Sequence, residues 1–169
     1  TDAGGVYEMK RNAAAEYVYY SVPAEFKIRT GHDGYPDFYV RLDTSQQKIR
    51  QDFTLERLAG VERSFRLICI GDPQINEASH AVRFKEEAGR EIREYAASAG
   101  VPCYGITLGD HVNNKWTLFT NMVVALQPEQ TGVPVFATIG NHDHEFPTAD
   151  EKAARAKYES YFGPVDYSF

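Results

Sequence analysis

The sequence predicts an α/β fold in which a parallel βαβαβ unit follows a small β-rich segment. Up to about residue 63, short runs rich in Val and Tyr alternate with turn residues such as Asp-Gly and Pro, which favours strands. From residue 64 onward, continuous apolar runs alternate with stretches of helical periodicity, which predicts a parallel sheet with right-handed crossovers. We therefore expect a β-rich N-terminal segment over residues 1–63 and a second domain over residues 64–169.

The N-terminal segment contains four stretches with strand character. They cover residues 5–12, 15–29, 31–42 and 50–58. Short strands separated by frequent turns are typical of β-sandwiches. We therefore expect this segment to be part of a sandwich, followed by a linker.

The second half contains three apolar runs, which we interpret as fully buried parallel strands. They cover residues 65–71, 102–110 and 133–141. Cys69 and Cys103 lie inside such runs, and we expect both to be buried thiols. Helical periodicity is present over residues 79–98, 116–127 and 148–162. A capping box from Thr148 to Glu151 is expected to open the last helix.

The composition, with 43% hydrophobic and 25% charged residues, is ordinary for a globular protein. The formal net charge of -6 argues against a general binder of nucleic acids or anionic membranes. It does not exclude phosphate chemistry, because bound cations can reverse the local field. No apolar run approaches the roughly 18 residues of a membrane-spanning helix, so we expect no transmembrane segment.

Each apolar run ends in a glycine followed at once by Asp or Asn. A turn is a sufficient explanation for one such end, but three on consecutive strands predict a site, since ligands collect beyond the carboxyl ends of parallel strands. Carboxylates that converge repel each other unless cations hold them. Oxygen and imidazole donors together suit Mn, Fe, Zn or Mg. The candidate residues are Asp72, Gln74, Asp110, Asn141 and His142.

The order and spacing of these motifs resemble the calcineurin-like metallophosphoesterases over residues 65–169. The motifs are Asp-Pro-Gln at 72–74, Gly-Asp at 109–110 and Gly-Asn-His-Asp at 140–143. The resemblance implies an α/β sandwich of two sheets, of which this chain holds the first half. It also implies a cofactor of two divalent metal ions, whose identity among Mn, Fe, Zn and Mg stays open.

Four side chains are metal ligands if the resemblance holds. Asp72 and Gln74 would bind the first metal, Asp110 would bridge the two metals, and Asn141 would bind the second. Gln74 occupies a position at which His is commoner in the family. In this respect the sequence resembles a subgroup with an Asp-Pro-Gln motif.

The remaining assignments concern the substrate. His142 would be a catalytic residue that stabilises charge or protonates the leaving oxygen, and Asp143 would orient its imidazole. Asn114 and His144 are candidate substrate-binding residues. His111 is expected to point away from Asp110, into the structure or the solvent.

The resemblance also implies what the chain lacks. The family carries a lone His and a Gly-His-x-His after its third motif, whereas this chain has no histidine after His144. We expect an internal fragment that binds metal poorly and hydrolyses little. Residues 1–10 resemble the start of carboxypeptidase-regulatory-like sandwiches, which precede such domains in secreted bacterial proteins. That resemblance implies an extracytoplasmic protein, either periplasmic or secreted.

The leading functional interpretation is a metal-dependent phosphoesterase that hydrolyses phosphate monoesters or diesters with a two-metal-activated hydroxide. The substrate would be a small-molecule or macromolecular phosphate ester, because fold resemblance does not name it. The alternative is a catalytically degenerate surface or binding module that uses the Tyr-rich β segment. A third interpretation, a purely structural α/β domain, leaves the three polar strand ends to chance.

Overall fold

The structure, a computed structural model, describes residue 2 and residues 4–168. Residues 1, 3 and 169, which belong to the predicted segments 1–63 and 64–169, lie outside this description. The first sheet is an antiparallel pair, β1 (Tyr17–Tyr19) and β2 (Tyr39–Arg41), in which Val18 faces Val40.

The N-terminal segment is less regular than its pattern predicts. In the described part of this segment, pairing outside β1 and β2 consists of two isolated antiparallel bridges, Phe26 with Arg57 and Thr30 with Pro36. The stretches 5–12 and 50–58 therefore do not form the regular strands that we expect from their alternation. Alternation of apolar and polar residues predicts that the two faces of an extended chain differ in polarity. A β-ladder also needs a partner strand in register.

The second sheet confirms the parallel α/β arrangement predicted for the second half. It contains β3 (Arg66–Ile70), β4 (Cys103–Thr107) and β5 (Val135–Phe136), in the order β3-β4-β5 with all pairs parallel. The mixed α/β structure is compatible with a calcineurin-like fold. The carboxyl ends of the three strands lie side by side, which is the condition for a shared site.

Helices connect these strands. They are α1 (Ala78–Phe84), a π-helical turn (Lys85–Gly89), α2 (Arg90–Ser98), a 3₁₀ turn (Trp116–Leu118), α3 (Phe119–Ala125), α4 (Pro128–Thr131), a second 3₁₀ turn (Asn141–Asp143) and α5 (Glu151–Phe162).

The N-cap of α5 is Asp150, whose carboxylate accepts the Ala153 N–H at 2.8 Å, so the predicted capping box at Thr148 is wrong. Asp is as good an N-cap as Thr, and here it lies one residue before the helix. In the described residues, no helix has the length and apolar character needed to cross a membrane.

The N-terminal segment and the second half share one core. The Tyr35 ring packs edge-on against Phe162 of α5 at 5.5 Å between centroids, and Tyr35 belongs to the main cluster of buried residues. Phe38 packs against Phe136 of β5 at 5.3 Å. The change in pattern near residue 63 therefore marks a change of secondary structure and not a gap in packing.

On one face of the parallel sheet, the side chains of β3 are open to solvent. Leu67 and Cys69 of β3 are exposed and pair in register with the half-buried Tyr104 and Ile106 of β4. Phe65, on the same side just before β3, is 55% exposed. The opposite face carries Ile70 and Cys103 into the core. The expectation that every strand is buried on both faces is therefore wrong for β3, and the expectation of a buried thiol holds for Cys103 but is wrong for Cys69.

We predict that the two thiols differ in reactivity. A water-soluble alkylating reagent should modify Cys69 in the native protein and reach Cys103 only after unfolding, because burial protects Cys103. Peptide mass spectrometry of samples labelled with and without denaturant would measure this, with C69S and C103S as controls. Equal labelling of both thiols in the native protein would contradict the burial of Cys103.

A second prediction concerns Glu159 of α5, which is only 7% exposed. Burial raises its carboxyl pKa, although the Arg155 guanidinium, with Nε 3.1 Å from the carboxylate, opposes this. A raised folded-state pKa means that the contribution of Glu159 to stability is largest in acid and falls as the pH rises through that pKa. Glu159→Gln should therefore raise the Tm, relative to wild type, more at about pH 7 than at about pH 4.

Thermal unfolding followed by circular dichroism at the two pH values would test this. Glu151→Gln is the control, since Glu151 lies on the same helix, near the same arginine, with its side chain 82% exposed. A Glu159→Gln effect that is the same at both pH values would contradict the assignment.

Candidate functional site

The three strand ends meet beyond the sheet. Pairing between the first two continues past the strands, since the Gln74 N–H donates to the Asp110 carbonyl at 2.8 Å and Ile75 forms a parallel bridge with Val112. The third strand end approaches the second at Gly109 and Gly140. The loops that follow β3, β4 and β5 are therefore neighbours, as the parallel topology predicts.

Asp110 is the centre of this arrangement. Its side chain accepts two hydrogen bonds, one from Gln74 Nε2 to Oδ2 at 3.0 Å and one from the His142 N–H to Oδ1 at 2.9 Å. Asp110 is 7% exposed. The structure thus brings together one predicted residue from each strand end.

Four polar residues of the site have a strained backbone. In the described part of the chain, the non-glycine residues with positive φ are Asp72 (32°), Gln74 (38°), Asp110 (51°) and Asn114 (54°). The left-handed region costs such residues on the order of 1–3 kcal/mol each, and these outliers concentrate at functional sites. All four belong to the set that the sequence selects as metal or substrate ligands.

Two glycines permit the close approach of the second and third loops. A Cβ on Gly140 would lie 2.1 Å from Asp110 Oδ1 and 2.2 Å from Asp110 N. Gly109 has φ +95°, and a Cβ there would lie 2.7 Å from the Gly140 Cα. Gly71 occupies the same sequence position in the first motif, but a Cβ there would meet nothing within 4 Å. The three glycines look equivalent in sequence, yet only the latter two are required by packing.

The other candidate residues lie at the rim. Asp72, Asn114 and Asn141 are exposed, and none of their side-chain atoms hydrogen-bonds to another group in the described residues. His144 is turned to its own loop, where Nδ1 donates to the Gly140 carbonyl at 2.9 Å and the ring stacks on Phe146. Only the far side of the His144 ring is therefore available to a substrate.

His142 carries an unsatisfied buried atom. Its Nδ1 is buried and, in the described part of the chain, has no hydrogen-bond partner. The backbone of the residue is held at both ends, since its N–H donates to Asp110 and its carbonyl accepts from Trp116 Nε1 at 3.2 Å. A buried nitrogen without a partner calls for an explanation, and a role in binding or catalysis is one such explanation.

Asp143 bonds to His111 instead of orienting His142. The His111 Nδ1 lies 2.9 Å from Asp143 Oδ2, and both side chains are 0% exposed. Three backbone N–H groups complete the arrangement: those of His111 and Val112 donate to Oδ1 and that of Gly140 to Oδ2. The Asp143 carboxylate is therefore a buried link between two loops, and the expected contact with the His142 imidazole is not made.

Sequence reasoning missed the partners of this link. His111 does point away from Asp110, into the structure, where its Nε2 lies 2.9 Å from Thr107 Oγ1. The motifs Gly-Asp-His and Gly-Asn-His-Asp each place a buried polar residue beside a site residue on adjacent strands. Pairing His111 with Asp143 would have required knowledge of which side of each loop turns inward.

The two carboxylates differ in how completely the protein satisfies them. An ionised carboxylate has about four lone-pair positions. Asp143 receives four N–H donors, whereas Asp110 receives two. Asp110 therefore keeps acceptor capacity for an external partner.

A divalent cation fits these donors in part. Because the Gln74 amide nitrogen faces Asp110, its Oε1 is free, and together with Asp72, Asp110 and Asn141 it gives the oxygen donors that hard cations prefer. Within residue 2 and residues 4–168, however, no group of three or more His, Cys, Asp or Glu side chains is arranged to hold a metal. The residues present can therefore supply oxygen ligands to a metal ion.

Comparison with known families gives one match. The family model described as the N terminal of Calcineurin-like phosphoesterase matches residues 1–58. No curated protein and no solved structure matches the chain. The match lies on the N-terminal segment, outside the three strand-end motifs, and so supports the phosphoesterase resemblance from a part of the chain that contains none of the candidate site residues.

We predict that Gly140→Ala destabilises the protein by about 2 kcal/mol or more, because the methyl group would overlap Asp110. Gly71→Ala, at the same position of the first motif, should change the free energy of unfolding by less than about 0.5 kcal/mol. Urea denaturation of both variants would measure the difference. Similar effects for the two substitutions would contradict the close contact between the loops.

Proposed function

We propose that this chain carries the metal-binding edge of a phosphoesterase that hydrolyses phosphate monoesters or diesters. The observation that carries the proposal is the convergence of strained polar residues on a half-satisfied carboxylate, Asp110, where three parallel strands end. A structural turn does not need four left-handed non-glycine residues in two loops. Ligand binding at this edge would account for the strain.

In this proposal, four oxygen donors hold two divalent cations. Asp72, Gln74, Asp110 and Asn141 are the residues that would hold these cations, as the resemblance implies. When bound, such cations neutralise phosphoryl oxygens and supply a hydroxide nucleophile at neutral pH. Gln74 also holds Asp110 in place by donating to Oδ2, which leaves the amide oxygen of Gln74 for the cation.

His142 is the proposed catalytic acid or charge stabiliser. Its backbone is fixed beside Asp110 and its Nδ1 lacks a hydrogen-bond partner in the described residues, so this ring nitrogen is not occupied by an internal hydrogen bond. Asn114, at the rim with its own strained backbone, and His144 are the proposed substrate contacts. Asp143 acts indirectly, by fixing the loop that carries His142.

The comparison supports the class and leaves the finer assignments open. The family whose model matches residues 1–58 is a hydrolase family that generally binds divalent metals. The Asp-Pro-Gln subgroup, the β-sandwich at the N-terminus and the extracytoplasmic location stay predictions. No observation favours the alternative of a degenerate binding module.

We predict that Asn141→Ala weakens Mn²⁺ binding, whereas His142→Ala leaves Mn²⁺ binding intact and slows hydrolysis by about 10²- to 10⁴-fold, the range for loss of a general acid. Isothermal titration calorimetry with Mn²⁺ and hydrolysis of bis(p-nitrophenyl) phosphate would measure the two effects. The measurements should be made on this chain and on any longer natural protein that contains it.

His32→Ala and Asn12→Ala are matched controls, since both residues are exposed and lie in the N-terminal segment, outside the site. Neither should change metal binding or turnover. Full Mn²⁺ affinity in Asn141→Ala together with full turnover in His142→Ala would refute the site assignment.

A further inference from the structure

A buried chain of hydrogen bonds runs beneath the candidate site. The Thr138 N–H donates to Thr107 Oγ1 at 3.2 Å, Thr107 Oγ1 lies 2.9 Å from His111 Nε2, and His111 Nδ1 lies 2.9 Å from Asp143 Oδ2. Thr107, His111 and Asp143 are each 0% exposed. The chain therefore connects β4 to the loop after β5 entirely inside the protein.

One neutral arrangement of protons satisfies the donors and acceptors of these hydrogen bonds. Asp143 is an acceptor, so His111 donates from Nδ1. Because Thr107 Oγ1 already accepts from Thr138, its hydroxyl hydrogen is free to donate to His111 Nε2. A neutral His111 with its proton on Nδ1 satisfies every atom of the chain.

The order hydroxyl, imidazole, carboxylate is also that of a nucleophilic triad, but burial excludes that role here. Thr107 Oγ1 has no solvent-accessible side from which a substrate could reach it, because the residue is 0% exposed. A triad nucleophile must meet its substrate. These hydrogen bonds therefore have a structural role. They affect the site through the backbone groups to which Asp143 bonds.

Asp143 holds both loops of the site. Its Oδ1 receives the N–H groups of His111 and Val112, which directly follow Asp110, and its Oδ2 receives the N–H of Gly140, which directly precedes Asn141. The side chain of His111 is the one side-chain donor that this carboxylate has in the described residues. His111 therefore orients this carboxylate together with three backbone N–H groups, and it is the part of the arrangement that a side-chain substitution can remove.

We propose that His111 is a positioning residue that acts through Asp143 to hold Asp110 and His142 in contact. The hydrogen bond from the His142 N–H to Asp110 Oδ1 is the contact that depends on this link. The expected effect on metal binding rests on the proposed function, whereas the expected effect on the loops does not.

Three substitutions separate the shape of the His111 side chain from its Nδ1–H donor. His111→Phe keeps a ring that can stack on Phe162, as the imidazole does at 4.5 Å between centroids, but removes the donor to Asp143. His111→Asn removes the ring but places an amide N–H where Nδ1 lies. His111→Gln, whose amide falls at the Nε2 position, is a second variant without a donor at Nδ1, in case His111→Phe does not fold.

Hydrogen exchange of backbone amides, measured by NMR, is the first readout. The amides of Gly140 and His142 should exchange about 10-fold faster or more in His111→Phe or His111→Gln, as loss of a bond to a charged group implies. They should stay within about 3-fold of wild type in His111→Asn, which keeps the donor. Thr131→Val is the control for general destabilisation, since Thr131 is equally buried but bonds to Gln127 and Val133.

The affinity for Mn²⁺ is the second readout. It should fall by about 10- to 100-fold in His111→Phe, the usual cost of removing a group that orients metal ligands, and recover in His111→Asn. If Mn²⁺ binds neither to the wild-type chain nor to a longer natural protein that contains it, the proposed function fails while the exchange measurement still decides the role of His111. Equal acceleration in Thr131→Val, or acceleration in His111→Asn that matches the donor-free variants, would overturn the proposal.

Discussion

The contact between Gly140 and Asp110 is the constraint on which the site depends. Two adjacent parallel strands end in loops that must touch if Asp110 and His142 are to share a hydrogen bond, and a side chain at position 140 would occupy the space of the Asp110 carboxylate. Glycine is required there for space, because its φ of -113° is open to any residue. At Gly109 the left-handed backbone adds a second reason.

The contact brings two carboxylates into neighbouring loops, and the fold treats them differently. Asp143 is enclosed and hydrogen-bonded by four donors, so it acts as part of the framework. Asp110, in the neighbouring loop, accepts two hydrogen bonds, which fill half of its roughly four acceptor positions. A nearly buried carboxylate with open acceptor positions calls for an explanation, and the cation site that we propose would supply one.

The sequence predicted the parallel sheet and the three strand ends, because continuous apolar runs and Gly-Asp or Gly-Asn steps are local signals. It did not predict the partner of Asp143, which depends on how His111 turns relative to a loop 32 residues away. It also could not separate Gly71 from Gly140, since identical local patterns meet different neighbours. In the N-terminal segment, alternation predicted more strands than form, because pairing is not encoded locally.

An aromatic stack joins the N-terminal segment to the site. Tyr35 packs on Phe162, Phe162 stacks on His111, and His111 bonds to Asp143. The segment that the phosphoesterase family model matches is thus two ring contacts away from the loop that carries His142. Residue 58, where that match ends, is consequently not a place to divide the protein: excising the segment would remove Tyr35 from the Phe162 ring on which the His111 imidazole stacks.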